Sequence, residues 1–287
     1  MYKFTPILKT LVWGTESWVL SSVPGSESVV SEGPDKGRTL GEVYGRHFPL
    51  LIKFIDARKD LSVQVHPNDS IASVRHGCSG KTEMWYIMKA EKGTRLISGF
   101  NRKIDKEEYV SLVENGEILS VLSSHTASPG DVFYLPAGRV HAIGAGCLLA
   151  EVQQSSDITY RIFDYNRPGL DGKPRQLHTE MARDAIEYDV RDDYRTHYTP
   201  EKNSEVELVD CPYFNTGLLC LDSPKERSLA DCRDFIALVC LEGRGMLTSG
   251  SGGRLSLQEG EAVLVLKSEK DVLIEPDGEM KILTAHI

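Results

Sequence analysis

Leu61-Ser62-Val63-Gln64-Val65-His66-Pro67-Asn68-Asp69 carries the periodicity from which the architecture can be read. Apolar and polar residues alternate at the spacing of a strand. Leu61, Val63 and Val65 therefore share one face, and Ser62, Gln64 and His66 the other. One face suits a core; the other delivers an amide oxygen and an imidazole nitrogen into the same space. Pro67 has no N–H for the ladder, so the strand should stop just after His66. Alone, a Gln-x-His strand reads as an ordinary half-buried polar face. Its neighbours give it meaning.

Upstream, Phe48-Pro49-Leu50-Leu51-Ile52-Lys53-Phe54-Ile55-Asp56-Ala57 is a near-continuous apolar run of the length of a buried strand. Before it, residues 1–50 form a Gly/Pro-punctuated opening of short strands. A short helix is expected over 39–46, where Thr39 and Glu42 have capping-box spacing. Downstream, a loop is expected over 70–80, after which Lys81-Thr82-Glu83 leads into the strand-like Met84-Trp85-Tyr86-Ile87-Met88. Between 105 and 115, Tyr109, Leu112 and Val113 recur at helical spacing, and Asn115-Gly116 supplies the stop. Strands resume at Val132-Phe133-Tyr134-Leu135, around His141, at 147–152 and at Ile158-Thr159-Tyr160-Arg161-Ile162-Phe163. A polar stretch from 166 to 200 reads as a connector with a short helix near 179–186. Short strands then run to the C-terminus.

Many short strands at close spacing argue for a sandwich or barrel. A faint repeat supports two such units. Trp85-Tyr86-Ile87-Met88 resembles Phe235-Ile236-Ala237-Leu238, and Pro129-Gly130-Asp131-Val132-Phe133-Tyr134-Leu135 resembles Glu259-Gly260-Glu261-Ala262-Val263-Leu264-Val265. The expected fold is all-β, two jelly-roll domains of the cupin kind with a short inserted helical segment. The expected boundaries are 1–165 for a metal-binding domain, 166–200 for the connector and 201–287 for the second domain. This alignment sets Arg233 against Glu83 and Asp271 against His141, so the second domain is expected to be metal-free.

A net charge of −9 and a pI of about 5.4 count against nucleic-acid backbone binding. No apolar run approaches bilayer-spanning length, and the first residues lack a signal-peptide pattern. The six cysteines form no Cys-x-x-Cys pair and read as reduced, small apolar residues. A cytoplasmic protein, monomeric or homodimeric, is expected.

The polar residues presented by the first set of strands are Gln64, His66, Glu83 and His141. Two imidazoles, a carboxylate and an amide oxygen form a donor set suited to zinc, iron(II) or manganese. Each residue alone has an ordinary structural explanation; together they define a candidate metal site.

These residues lie within longer matching runs: Pro49 to Ala57, Leu61 to Asp69, Gly80-Lys81-Thr82-Glu83-Met84-Trp85-Tyr86, Gly138-Arg139-Val140-His141-Ala142-Ile143-Gly144, and Glu151 to Tyr165. In these runs the sequence resembles the type I mannose-6-phosphate isomerases, from near Phe4 to about Arg167. The resemblance implies one zinc per chain, held by Gln64, His66, Glu83 and His141. It also implies a sugar-phosphate substrate isomerised between mannose 6-phosphate and fructose 6-phosphate through a cis-enediol. Lys81 and Arg161 match the active-site cations, with Asp157 nearby. Asp157, Lys81 and a hydroxide on the metal stay open as the base. The chain lacks the large helical insertion of longer members, and Arg139 stands where many carry a small residue. A non-catalytic sugar-binding cupin and a non-haem iron oxygenase are the alternatives, the latter because it shares a two-His-one-carboxylate donor set.

Overall fold

In a computed structural model describing residues 1–287, twenty-five strands stand against four short α-helices, which establishes the all-β class with two jelly rolls. The chain divides into one unit of Leu8–Glu16 and Phe54–Arg195, and another of Met1–Ile7, Ser17–Lys53 and Thr196–Ile287. These boundaries differ from those expected from sequence. The opening strand Tyr2–Thr5 pairs with Ala262–Leu266 and with Val29–Glu32, which places it with the C-terminal strands. Nor is 166–200 merely a connector. The helix Thr179–Ala185 buries Ala182 and Ala185 in an apolar cluster of the first unit, and Tyr194 enters another.

In that unit, Leu122–Thr126, Arg95–Phe100, His141–Ile143, Val63–Val65 and Tyr160–Phe163 form a five-stranded sheet in that order. Register aligns Ser98, His141, Gln64 and Arg161 in one row across four neighbouring strands. Directly opposed residues share a face, so all four project the same way. Its partner sheet sets Glu83–Ala90 between Val132–Leu135 and Cys147–Gln154. Leu135, Glu83 and Gln153 form one row there, and Phe133, Trp85 and Glu151 the next. Leu96 and Ile143 from one sheet meet Trp85, Ile87 and Phe133 from the other, closing the interior beneath the polar rows. Each such side chain contributes ~1.5–3 kcal/mol by leaving water.

The outer face of the five-stranded sheet packs under the helices Lys106–Glu114 and Thr179–Ala185, with Val63, Val65, Ala142 and Tyr109 in the contact. The inserted helix falls where expected and is capped by Asp105, whose side chain accepts from Glu108 N. The expected capping box also forms, around the helix Leu40–Tyr44.

Two local readings change. The strand runs only Val63–Val65, so Leu61 leaves the alternation and packs in the interior cluster, away from Val63 and Val65. The expected loop after it contains a helix, Asp69–His76. Asn68 caps it through Ile71 N, and Gly77 ends it at φ +65°. The cap, the acidic first turn at Asp69 and the basic last turn at Arg75 and His76 were all visible in the sequence.

In the other unit, Ala262–Leu266, Phe235–Glu242 and Met280–His286 reproduce the three-strand arrangement, and Lys225–Ser228, Asp271–Pro276, Arg244–Ser249 and Arg254–Gln258 form the second sheet. Strand pairing corrects the repeat alignment. With Val265 matched to Leu135, the interior row is Val265, Ile236 and His286, so Ile236 stands where Glu83 does. Arg233 precedes the strand and is exposed. Asp271 pairs with Ser228, whereas the interior pair one residue away is Val272 with Arg227. A one-residue slip exchanges the faces of a strand, and the continuous apolar run from Phe235 gave no alternation to fix the register.

All six cysteines are free. No helix is long and apolar enough to cross a membrane.

Candidate metal centre

Four side chains from two facing sheets converge in the first unit. His141 and Gln64 come from adjacent strands, His66 from the residue after Val65, and Glu83 from the first position of the opposing strand. His66, Glu83 and His141 are each about 1% exposed, and their donor atoms all lie within 4.8 Å of one another. Glu83 Oε2 is 3.4 Å from His66 Nε2, and Glu83 Oε1 is 3.3 Å from His141 Nε2.

The protonation of the histidines follows from their outer contacts. His66 Nδ1 lies 2.8 Å from Ile158 O, and His141 Nδ1 lies 2.8 Å from Arg139 O. A carbonyl only accepts, so each Nδ1 carries the hydrogen. Burial, reinforced for His66 by the nearby Lys81 charge, disfavours a second proton. His66 is driven down to about 3, and His141 is lowered as well. Both Nε2 atoms therefore present lone pairs to Glu83. Burial alone would raise the Glu83 carboxyl, but the adjacent Lys81 ammonium outweighs it and holds the group well below its usual range.

Lone pairs thus face a carboxylate at little more than 3 Å, and His66 Nε2 and both Glu83 oxygens have no hydrogen bond. Such a buried group is expensive without a cation between its members. The donors fit a divalent metal, and the carbonyl contacts at both Nδ1 atoms are of the kind that orient metal-ligating histidines. Gln64 Nε2 stands 3.3 Å from His141 Nε2. Turning that amide over would direct Oε1 to the same centre, an exchange that leaves its shape unchanged.

Of the other residues singled out from sequence, two are near this group. Lys81, 4% exposed, holds its Nζ 3.2 Å from Glu83 Oε2 and 3.9 Å from Glu151 Oε1. Arg161 projects from the Gln64 row; its guanidinium donates to Gln176 O at 2.9 Å, while its Nε is buried without a partner. Asp157 is exposed and is not drawn into the cluster. Arg139, two residues before His141, is buried with its guanidinium 4.7 Å above the Tyr194 ring.

Sequence reasoning missed several residues. Glu151, 2% exposed, accepts from Trp85 Nε1 at 2.8 Å, and Trp85 sets its ring edge-on to His141. Alternation in Glu151-Val152-Gln153 could have marked Glu151 as inward-facing. Arg167 and Arg175 both pair with Asp164, Arg175 through two contacts of 2.6 Å, and both act electrostatically on Arg161. Their grouping depends on a chain reversal after Phe163, which no local periodicity announces.

Residues 16–97 match the family model described as the catalytic domain of type I phosphomannose isomerase. The mannose-6-phosphate isomerase ManA of Bacillus subtilis is 37% identical over 277 residues, covering 86% of this chain and 87% of that protein. The mannose-6-phosphate isomerase of Streptococcus mutans is 32% identical over 283 residues, covering 94% and 88%. The crystal structure of a mannose 6-phosphate isomerase from B. subtilis superposes with a TM-score of 0.88 at 30% identity, covering 100% of this chain and 99% of that one.

Proposed function

The chain belongs to the type I phosphomannose isomerases, and from that premise we propose that it interconverts mannose 6-phosphate and fructose 6-phosphate using one divalent metal, zinc, held by Gln64, His66, Glu83 and His141. The observation that carries this reading is the buried convergence of His66 Nε2, His141 Nε2 and the two Glu83 oxygens, of which His66 Nε2 and both carboxylate oxygens lack a hydrogen bond. When bound, zinc supplies Lewis-acid polarisation of the substrate carbonyl. With one carboxylate and neutral co-ligands it retains about +1, which favours the negative charge developing on the way to a cis-enediol.

The chain's own residues divide the remaining work. Moving hydrogen between C2 and C1 of the open-chain sugar requires a group that takes and returns a proton. Lys81 and Glu151, buried side by side next to the metal ligands, are better placed for this than exposed Asp157. Arg161 shares a row with two of the ligands and supplies a fixed guanidinium at the reacting end. Arg161, Arg167 and Arg175 set three cations against the single carboxylate of Asp164, a local excess of positive charge suited to a phosphate. These cations favour an anionic substrate over the iron-oxygenase alternative.

The test is a coupled assay for fructose 6-phosphate on metal-loaded and chelated protein. The expected result is turnover that disappears with the metal and returns with zinc. No turnover of mannose 6-phosphate by fully loaded protein would overturn the reading.

A further inference from the structure

One carboxylate outside the ligand set fastens the loop that carries Lys81. Asp69 Oδ1 accepts from Gly80 N at 2.7 Å and from Gln154 Nε2 at 3.1 Å. Gln154 Oε1 in turn accepts from Thr82 N at 2.8 Å, and Gln154 N donates to Thr82 O at 3.0 Å. Lys81 N donates to Pro67 O at 3.1 Å. Lys81 is therefore held through its own backbone and through the residue on either side. The fit is close: a Cβ on Gly80 would stand 2.6 Å from Asn68 C and Asp69 N. Asp69 also sits at the start of a helix, but the cap there is Asn68, whose Oδ1 accepts from Ile71 N. The oxygen of Asp69 is committed to the loop.

We propose that Asp69 and Gln154 are positioning residues for the isomerisation, latching the segment after His66 to the segment before Glu83 so that the Lys81 ammonium is fixed beside the metal ligands. They act through Lys81 and do not touch substrate. The inference rests on the functional reading above. Gln154 is 7% exposed and Asp69 half-buried, so these bonds form where water competes poorly. Displacing a reacting group by about 1 Å can cost on the order of 100-fold in rate.

The experiment compares Asp69→Ala, Asp69→Asn, Gln154→Ala and, as a control, Ser70→Ala, an exposed residue of the same helix. Metal content, kcat, KM and hydrogen exchange at the Gly80 and Thr82 amides are measured on each full-length variant. Asp69→Ala and Gln154→Ala should lose ~10- to 100-fold in kcat with KM within about threefold and metal content unchanged. Asp69→Asn keeps an oxygen acceptor and should recover to within about threefold of the parent. Ser70→Ala should match the parent. A kcat for Asp69→Ala within threefold of the parent, metal lost in step with activity, or an Asn variant no better than the Ala variant overturns the proposal. If Asp69→Ala does not fold, Gln154→Ala decides by the same criteria. If the parent makes no fructose 6-phosphate, the functional reading fails separately. Exchange then decides the latch: faster exchange at Gly80 in Asp69→Ala and at Thr82 in Gln154→Ala supports it, and unchanged exchange overturns it.

Discussion

The interiors of the two jelly rolls are built on matching strands and hold opposite chemistry. In the first, the row through the central strand carries Glu83, and the facing sheet contributes Gln64 and His141. In the second, the corresponding positions hold Ile236, Arg227 and Val272. The first therefore gathers buried lone pairs around one carboxylate, with the Lys81 ammonium beside only one of its oxygens. The second fills the same region with its own cation: Arg227 contacts Glu205 at 2.6 Å and Asp231 at 2.7 and 2.8 Å. A scaffold that can carry a metal donor set can be closed by a guanidinium and two apolar side chains. At these positions the units differ in the interior side chains and not in the strands that carry them.

The comparison breaks most directly at the imidazoles. His66→Ala or His141→Ala leaves one histidine, one carboxylate and one amide, too few strong donors for zinc. Metal affinity should fall well beyond the ~10- to 100-fold that outer contacts usually cost, with activity lost alongside. Elemental analysis of both variants settles it; full occupancy in either would show that the ligand set is wrong.

Next in size is Arg161. A fixed guanidinium next to developing negative charge should contribute roughly 2.7–4 kcal/mol, so Arg161→Ala should lose about 100- to 1,000-fold in kcat. Arg161→Lys keeps the charge without the planar fork and should recover only part of this. Steady-state kinetics are read at unchanged metal content. A loss under about fivefold in kcat/KM would assign Arg161 to the backbone clamp it makes with Gln176.

Acid should separate the units in the metal-free protein. His66 lies near 3 against an ordinary 6.5, and His141 and Glu83 are also lowered, so the unfolded chain binds more protons than the folded one at all three. Their contribution is present above pH 6.5 and drains away as pH falls toward 3. In the other unit, Asp231 is held at about 2 by its hydrogen bonds from Arg227, so its contribution persists until pH falls below about 3.8. His286, half-buried and also lowered, adds a weaker decline from 6.5. Hydrogen exchange corrected for intrinsic rates should show Glu83–Ala90 loosening between pH 7 and 5 while Phe235–Glu242 changes little. Equal loosening would mean that the imidazoles do not set the difference.

The residues of the candidate metal site were easier to read from sequence than the frame around them, and for a physical reason. Gln64, His66, Glu83 and His141 sit in or beside short strands whose alternation is visible in a few residues, so their faces could be assigned locally. The jelly-roll class followed from strand density and the repeat. Boundaries did not, because the pairing of Tyr2 with Leu264 joins opposite ends of the chain. The role of Asp69 was hidden likewise: its partners are at 80 and 154, and only the folded loop brings them to one oxygen. Register within Phe235–Glu242 was illegible because seven of its eight residues are buried and no polar position marks a face.

The smallest expected effect tests the second interior directly. Arg227→Ala removes the guanidinium from the lining of a cavity of about 320 Å³ that Glu205, Asp231 and His286 also line. Asp231, Cys232 and His286 are near enough to be considered as metal donors, so the variant asks whether removing the resident cation creates a second metal site. The donors argue against it. Burial pushes the Cys232 thiol up to about 12, far from the thiolate that zinc requires. Ile236 and Val272 hold the positions of Glu83 and His141 and contribute no lone pair. Asp231 is more than half exposed and remains hydrated, and Glu205 still accepts from Thr284 Oγ1. Breaking a fully buried pair costs ~3–5 kcal/mol and an exposed one under ~1. Arg227 is only 11% exposed but Asp231 is 55%, so a loss of ~1–2 kcal/mol is expected. Metal should remain at one equivalent per chain and kcat within about twofold of the parent, as for a change outside the site. Denaturant melts with elemental analysis on the same samples decide the matter. A second equivalent of zinc would show that the two interiors differ by one arginine rather than by three side chains.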